Sequence, residues 1–112
     1  MRILEFTVRN QRLLKKITCD FSGLVAGSVG YLYAKFEFPY GGWDEYPVKI
    51  VSFWLGDKES AVKLDENNMC EIPAEILLGE EFRVYLIGAN DKNRIDTNEV
   101  FIRQEVKTNG NR

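Results

Sequence analysis

The residues of this chain that could do chemistry are acids, aromatics and two thiols, because it contains no histidine at all. Without imidazole there is no Ser-His-Asp or Cys-His arrangement, no commonest general base and no histidine-bearing zinc site. Cys19 and Cys70 are the only cysteines and are too few for a four-thiolate centre. Cys70 lies between Met69 and Glu71 on an expected strand, where a reduced thiol serves as a small hydrophobe. Asp44 and Glu45 stand between Trp43 and Tyr46, the composition of a sugar-cleaving subsite. Neighbours on an extended chain point to opposite faces, however, so this pair cannot flank one glycosidic bond. Asp65-Glu66-Asn67-Asn68 has calcium-loop composition but lacks the glycine and the bidentate glutamate at the needed spacing, and it reads as a hairpin turn. The glycine-rich stretch Ser22–Gly30 has no strand of phosphate-loop pattern before it and no Lys-Ser or Lys-Thr after it. It reads as a flexible loop. The residues therefore predict no enzyme, no metal and no cofactor.

What remains is the aromatics, with Tyr31, Tyr33, Tyr40, Trp43, Tyr46 and Trp54 on a short chain. Such side chains stack on sugar rings or anchor protein partners. Trp54 sits inside an apolar run and is expected in the core. Tyr40, Trp43 and Tyr46, around the Gly41-Gly42 pair, are the candidate partner or glycan contacts, although Trp43 is better suited to plugging one end of the fold.

The elements that must position these side chains are strands. Val48–Leu55 and Phe82–Ile87 are continuous apolar-rich runs, as expected for strands buried on both faces or at a sandwich core. Residues 3–8 alternate, and Tyr31–Phe38 places Leu32, Ala34, Phe36 and Phe38 on one face against Tyr33, Lys35 and Glu37 on the other. A short second strand falls within Leu13–Cys19, and Gly56-Asp57 turns Val48–Leu55 into a partner around Ser60–Leu64. Pro73 must end the strand that carries Cys70, and with Glu75 behind it suits the start of one helical turn. Glu80–Gly88 and Arg94–Val106, joined by the Asn90–Asn93 turn, close the domain. The fold class predicted is all-β, an immunoglobulin-like antiparallel β-sandwich of about seven to eight strands with one short helical turn. A small barrel is the alternative. Residues 1–106 form the single domain and 107–112 a polar C-terminal tail or linker.

The 112 residues carry a net charge of −2 with acids and bases interleaved. No basic stripe suggests nucleic acid, and no apolar run has the length of about eighteen residues that a membrane span needs. Arg12 with Lys15-Lys16 reads as the charged edge of a sheet. The opening Met1-Arg2-Ile3-Leu4-Glu5-Phe6 lacks a signal-peptide core, which predicts synthesis in a cytoplasm.

Several segments then fall into a recognisable order. They are Phe6–Gln11, Tyr31–Phe38, Trp43-Asp44, Val51-Ser52-Phe53, Leu64-Asp65, the Cys70-Glu71-Ile72-Pro73-Ala74-Glu75-Ile76-Leu77 corner, and Thr97-Asn98-Glu99-Val100. Together they resemble small β domains encoded among the virion genes of tailed bacteriophages and prophages of Gram-positive bacteria, where such domains stand alone or begin baseplate, tail-fibre or capsid-fibre proteins. The segment between Gln11 and Tyr31 is longer than in that family. The resemblance implies a non-enzymatic structural or attachment module that docks onto other virion proteins and onto itself as a homo-oligomer. It would be located in the virion, and in the host cytoplasm before assembly. Two other functions fit the same residues: a carbohydrate-binding module recognising a host surface glycan through the loop aromatics, and a small inhibitor of a host protein encoded by a mobile element.

Overall fold

The computed structural model describes residues 1–107 and is an all-β sandwich of two sheets. The expected tail, 107–112, lies outside the described residues except for Lys107. The first sheet contains β1 (Arg2–Arg9), β2 (Arg12–Lys15), β3 (Leu32–Glu37) and β6 (Met69–Glu71), in the order β2-β1-β3-β6. The second contains β4 (Val48–Leu55), β5 (Lys58–Lys63), β7 (Glu81–Ala89), β8 (Arg94–Asp96) and β9 (Val100–Arg103). Its order is β5-β4-β7, with β8 and β9 sharing the far edge of β7. Single 3-10 turns cover Trp43–Glu45 and Ala74–Leu78, the second of them at the predicted proline corner.

Period-two alternation fills the space between the sheets. Leu4, Phe6 and Val8 of β1, with Leu32, Ala34 and Phe36 of β3, face Val51 and Phe53 of β4 and Phe82, Val84 and Leu86 of β7. All of them are buried. β1 and β3 run parallel, so Phe6 lies directly beside Phe36, and their rings stack with centroids 5.0 Å apart. Parallel neighbours need a long crossover, and residues 16–31 supply it after the β1–β2 hairpin.

That crossover is where the glycine-rich Ser22–Gly30 stretch lies, and it is a tied strap rather than the free loop its composition suggests. Leu24 is buried, Ala26 N–H donates to Glu105 O (2.8 Å) and Glu105 N–H to Leu24 O (2.8 Å). Gly27 N–H reaches Leu77 O (2.7 Å). Gly23, Gly27 and Gly30 all take positive φ, the conformation that lets the strap fold over the sandwich end. The Asp65–Asn68 segment also differs from its hairpin reading. β5 and β6 belong to different sheets, so this turn is a corner between layers. It is organised by the Asp65 carboxylate accepting from Asn67 N–H (2.8 Å) and Met69 N–H (2.9 Å).

The predicted last strand, Arg94–Val106, is split. Ile87 pairs with Asp96 and Val84 with Val100, so residues 97–99 oppose only residues 85 and 86 of β7. This extra residue is a β-bulge. Side chains replace the interrupted ladder. Thr97 N–H donates to Leu86 O and Thr97 Oγ1 accepts from Leu86 N–H, both at 3.0 Å. Asn98, aimed at the first sheet by the bulge, does the same for β2. Its Oδ1 accepts from Leu13 N–H (2.7 Å) and its Nδ2 donates to Leu13 O (3.1 Å). One amide thus pairs with the open edge of β2 as a further strand would, and stitches the two sheets together.

Two outcomes follow. Asn98→Ala leaves both half-buried Leu13 groups unpaired, and urea unfolding is expected to show a loss of about 2–4 kcal/mol; Asn98→Leu should be no better. Cys70, buried in β6, has its thiol pushed up from 9.0 to about 12, chiefly by burial and secondarily by the Asp65 charge. Below pH 9 both folded and unfolded chains keep the proton. Between pH 9 and about 12 only the unfolded chain releases it, so stability falls by about 1.4 kcal/mol per pH unit. Cys70→Ala should remove that slope when unfolding curves at pH 8 and pH 10 are compared.

Candidate docking surface

The loop aromatics are dispersed rather than gathered. The left-handed backbone of Gly41 and Gly42 (φ +69° and +85°) turns Trp43 inward, leaving it 2% exposed. Its Nε1 donates to Asn10 O (2.8 Å), and its six-membered ring lies against Gly88, where an added Cβ would approach within 2.6 Å. Phe38 and Tyr46 flank it at centroid distances of 5.4 and 5.8 Å. Trp43 therefore plugs one end of the sandwich. Tyr46 is half-buried and tilted 60° from the indole, while Tyr40 is exposed on its own with the Arg9 guanidinium 4.9 Å over its ring. An open groove of about 270 Å³ runs past Asn10, Gln11, Glu45 and Tyr46. These three aromatics form no flat platform for a sugar ring, and Asp44 and Glu45 sit exposed on the 3-10 turn beside them.

The outer faces of the two sheets differ in chemistry. On the first sheet the outward face is mixed, with Ile3 beside Tyr33 in one row and a charged row next to it. Lys16 bridges Glu37 (2.8 Å) and Glu5 (3.6 Å), with Lys35 alongside, and the Glu37 hydrogen bond holds the Lys16 ammonium above its ordinary range. On the second sheet the outward row is apolar and aromatic. The register places Trp54 beside Arg83, Ser52 beside Tyr85 and Ile50 beside Ile87, with Phe101 of β9 flanking Arg83. Phe101 is half exposed; Ile50, Trp54, Tyr85 and Ile87 are half-buried by their own neighbours.

Trp54 is thus on the outside, not in the core where the sequence places it. The alternation that sends Val51 and Phe53 inward sends Trp54 outward. It is also held in place from two sides. Its Nε1 donates to Ser52 Oγ (2.8 Å), and Ser52, fully buried beneath this row, donates in turn to the Glu59 carboxylate. Over its ring sits the Arg83 guanidinium, 5.1 Å from the centroid, itself fixed by Glu99 (2.9 Å) and by Gly56 O (3.0 Å). Beside them opens a groove of about 240 Å³ lined by Trp54, Gly56, Glu81, Arg83 and Phe101. Tyr85 belongs to the same face and escaped the sequence reading. The signal was present, since Phe82, Val84 and Leu86 inward require Arg83, Tyr85 and Ile87 outward.

Among the described residues no group of three or more acids and cysteines is placed to hold a metal, and no helix is long and apolar enough to cross a membrane. Both cysteines are free thiols; Cys19 Sγ accepts from Glu5 N–H (3.3 Å). No protein-family model, no curated protein and no solved structure matches the chain.

The two tryptophans should separate cleanly in mutagenesis. Trp43→Ala empties a buried site and is expected to cost about 3–5 kcal/mol in urea unfolding. Trp54→Ala should cost about 1 kcal/mol and leave the far-ultraviolet circular dichroism unchanged.

Proposed function

We propose that this chain is a non-enzymatic docking module of a bacteriophage particle, acting by protein-protein contact through the outer face of its second sheet. The observation that carries the docking part is the locked, outward-facing Trp54. A tryptophan stacked under an arginine, with a tyrosine and branched aliphatics beside it, is the composition of interface hot spots. Holding its rotamer in advance lowers the entropy lost on association. Glu59, Lys63, Asp96 and Arg103 rim the apolar row, as a polar border surrounds the centre of an interface.

The virion part is supported by the resemblance described above, and the fold gives it a physical reading. Its distinctive residues are Trp43, the Cys70–Pro73 corner and Thr97-Asn98. These are the end plug, the strand-ending corner and the bulge that stitches the sheets. Residues with such duties are the ones a set of related sandwiches would share, while the docking row would vary with the partner. On this reading the chain is made in the host cytoplasm and resides in the particle, in the baseplate, a tail fibre or a capsid fibre.

Mass spectrometry of density-banded particles from an induced source strain tests this. The chain is expected at many copies per particle, and Trp54→Ala should lower its incorporation at least tenfold while the soluble protein stays folded. Abundant soluble chain with none in the particles would overturn the virion reading and favour an inhibitor of a host protein.

A further inference from the structure

The docking row is complementary to itself. Viewed as a grid, β5, β4, β7 and the β8–β9 edge form four columns, with Trp54 and Arg83 in one row, Ser52 and Tyr85 in the next, and Ile50 and Ile87 in the third. Lys63 and Asp96 stand at opposite ends of that third row. A two-fold axis parallel to the strands, between β4 and β7, exchanges the columns and keeps the rows. It lays Trp54 of one copy on Arg83 of the other and Ile50 on Ile87, with Tyr85 spanning the middle row above the fully buried Ser52. It also sets Lys63 against Asp96. These matches join groups that attract, as cation over indole, apolar to apolar, and ammonium to a carboxylate that Arg94 also holds within its own copy (2.8 and 3.0 Å). An axis across the strands instead leaves Arg83 facing Ile87 and brings Glu99 onto Glu99 of the second copy.

From this register we infer that the partner seated on this face is a second copy of the chain, related by a two-fold axis parallel to β4 and β7. The inference rests on the reading of the face as a docking surface and names its occupant. Sheets pack face to face at about 10 Å with their strands within about 30° of alignment, a geometry that keeps these rows in register near the axis. Four strands at about 4.8 Å spacing and eight residues at about 3.3 Å give a footprint of about 500 Å² per copy. The pair buries about 1,000 Å², the lower bound of a specific interface, so the dimer exchanges with monomer. Isologous pairing of this kind is the commonest symmetry of soluble oligomers.

The test uses the full chain at several concentrations. Sedimentation equilibrium is expected to give a mass rising from 12.9 kDa toward twice that value. A zero-length carbodiimide should join Lys63 to Asp96. Within one copy these lie three strand spacings apart, about 14 Å, so that link reports contact between copies. Lys63→Glu, at an exposed site, should weaken the dimer about tenfold, and Lys63→Glu with Asp96→Lys should restore it. Ile50→Lys should abolish it with circular dichroism unchanged. A monomer at every concentration overturns the inference, as does a dimer indifferent to Ile50→Lys or cross-linked through other faces. A monomer that still enters particles in a Trp54-dependent way removes self-pairing and leaves the docking surface standing. A dimer absent from particles removes the virion reading alone.

Discussion

The architecture depends on one extra residue. The bulge at Thr97-Asn98 breaks the last strand into β8 and β9, and the break would leave Leu86 unpaired on one side and the edge of β2 open on the other. Thr97 satisfies the first with its own hydroxyl and amide, and Asn98 the second with a side-chain amide that serves as both donor and acceptor. A buried peptide group without a partner costs more than a typical hydrogen bond contributes, so these two side chains decide whether the sheets can be joined here at all. Gln11 strengthens the same seam, its side-chain Nε2 donating to Asp96 O and its backbone carbonyl accepting from Asn98 N–H. With that edge tied, the core closes under Trp43 at one end and under the Leu24 strap at another.

Much of this was legible in the residues, for a physical reason. A side-chain period of two is a local property, so Leu32–Glu37 announces a strand whose inward set can be named without knowing what it faces. Pro73 announces its corner in the same way. The continuous apolar run within Glu81–Ala89, by contrast, announces a strand but hides which side chains point out. What the residues could not announce is neighbourhood. Nothing in Ser22–Gly30 says that Glu105 will lie beside it, and nothing in Thr97-Asn98 says which open edge the amide will meet. Trp54 is the instructive case. Its apolar surroundings along the chain suggest the core, but the alternation already assigned Phe53 inward and left the indole facing out. Period, not local composition, decides which way the indole faces.

The contrast between the two outer faces bears on how such a domain remains well behaved. Charged rows, such as the Lys16–Glu37–Glu5 group, discourage unwanted pairing, and the lysine-bearing β5 protects the free edge of the second sheet. The apolar row is instead confined to the middle of one face, where association must be broad and flat rather than edge to edge. Its order is maintained by polar atoms underneath it. Ser52, buried under an outward surface, links the Trp54 indole to the Glu59 carboxylate through its hydroxyl.

The Leu13–Asn98 clamp also has a kinetic side. Its two residues stand 85 positions apart, and β1 likewise waits for β3 across the long crossover. Hairpins such as β4–β5 and β7–β8 can close within microseconds of leaving the ribosome, whereas the first sheet keeps one bare edge until nearly the whole chain has emerged. A fold dominated by such distant pairings forms slowly, in milliseconds to seconds. During that interval the positive charges of Arg12, Lys15 and Lys16 discourage nascent β2 strands from pairing with one another, a duty separate from the bridges Lys16 makes to Glu5 and Glu37 in the finished protein.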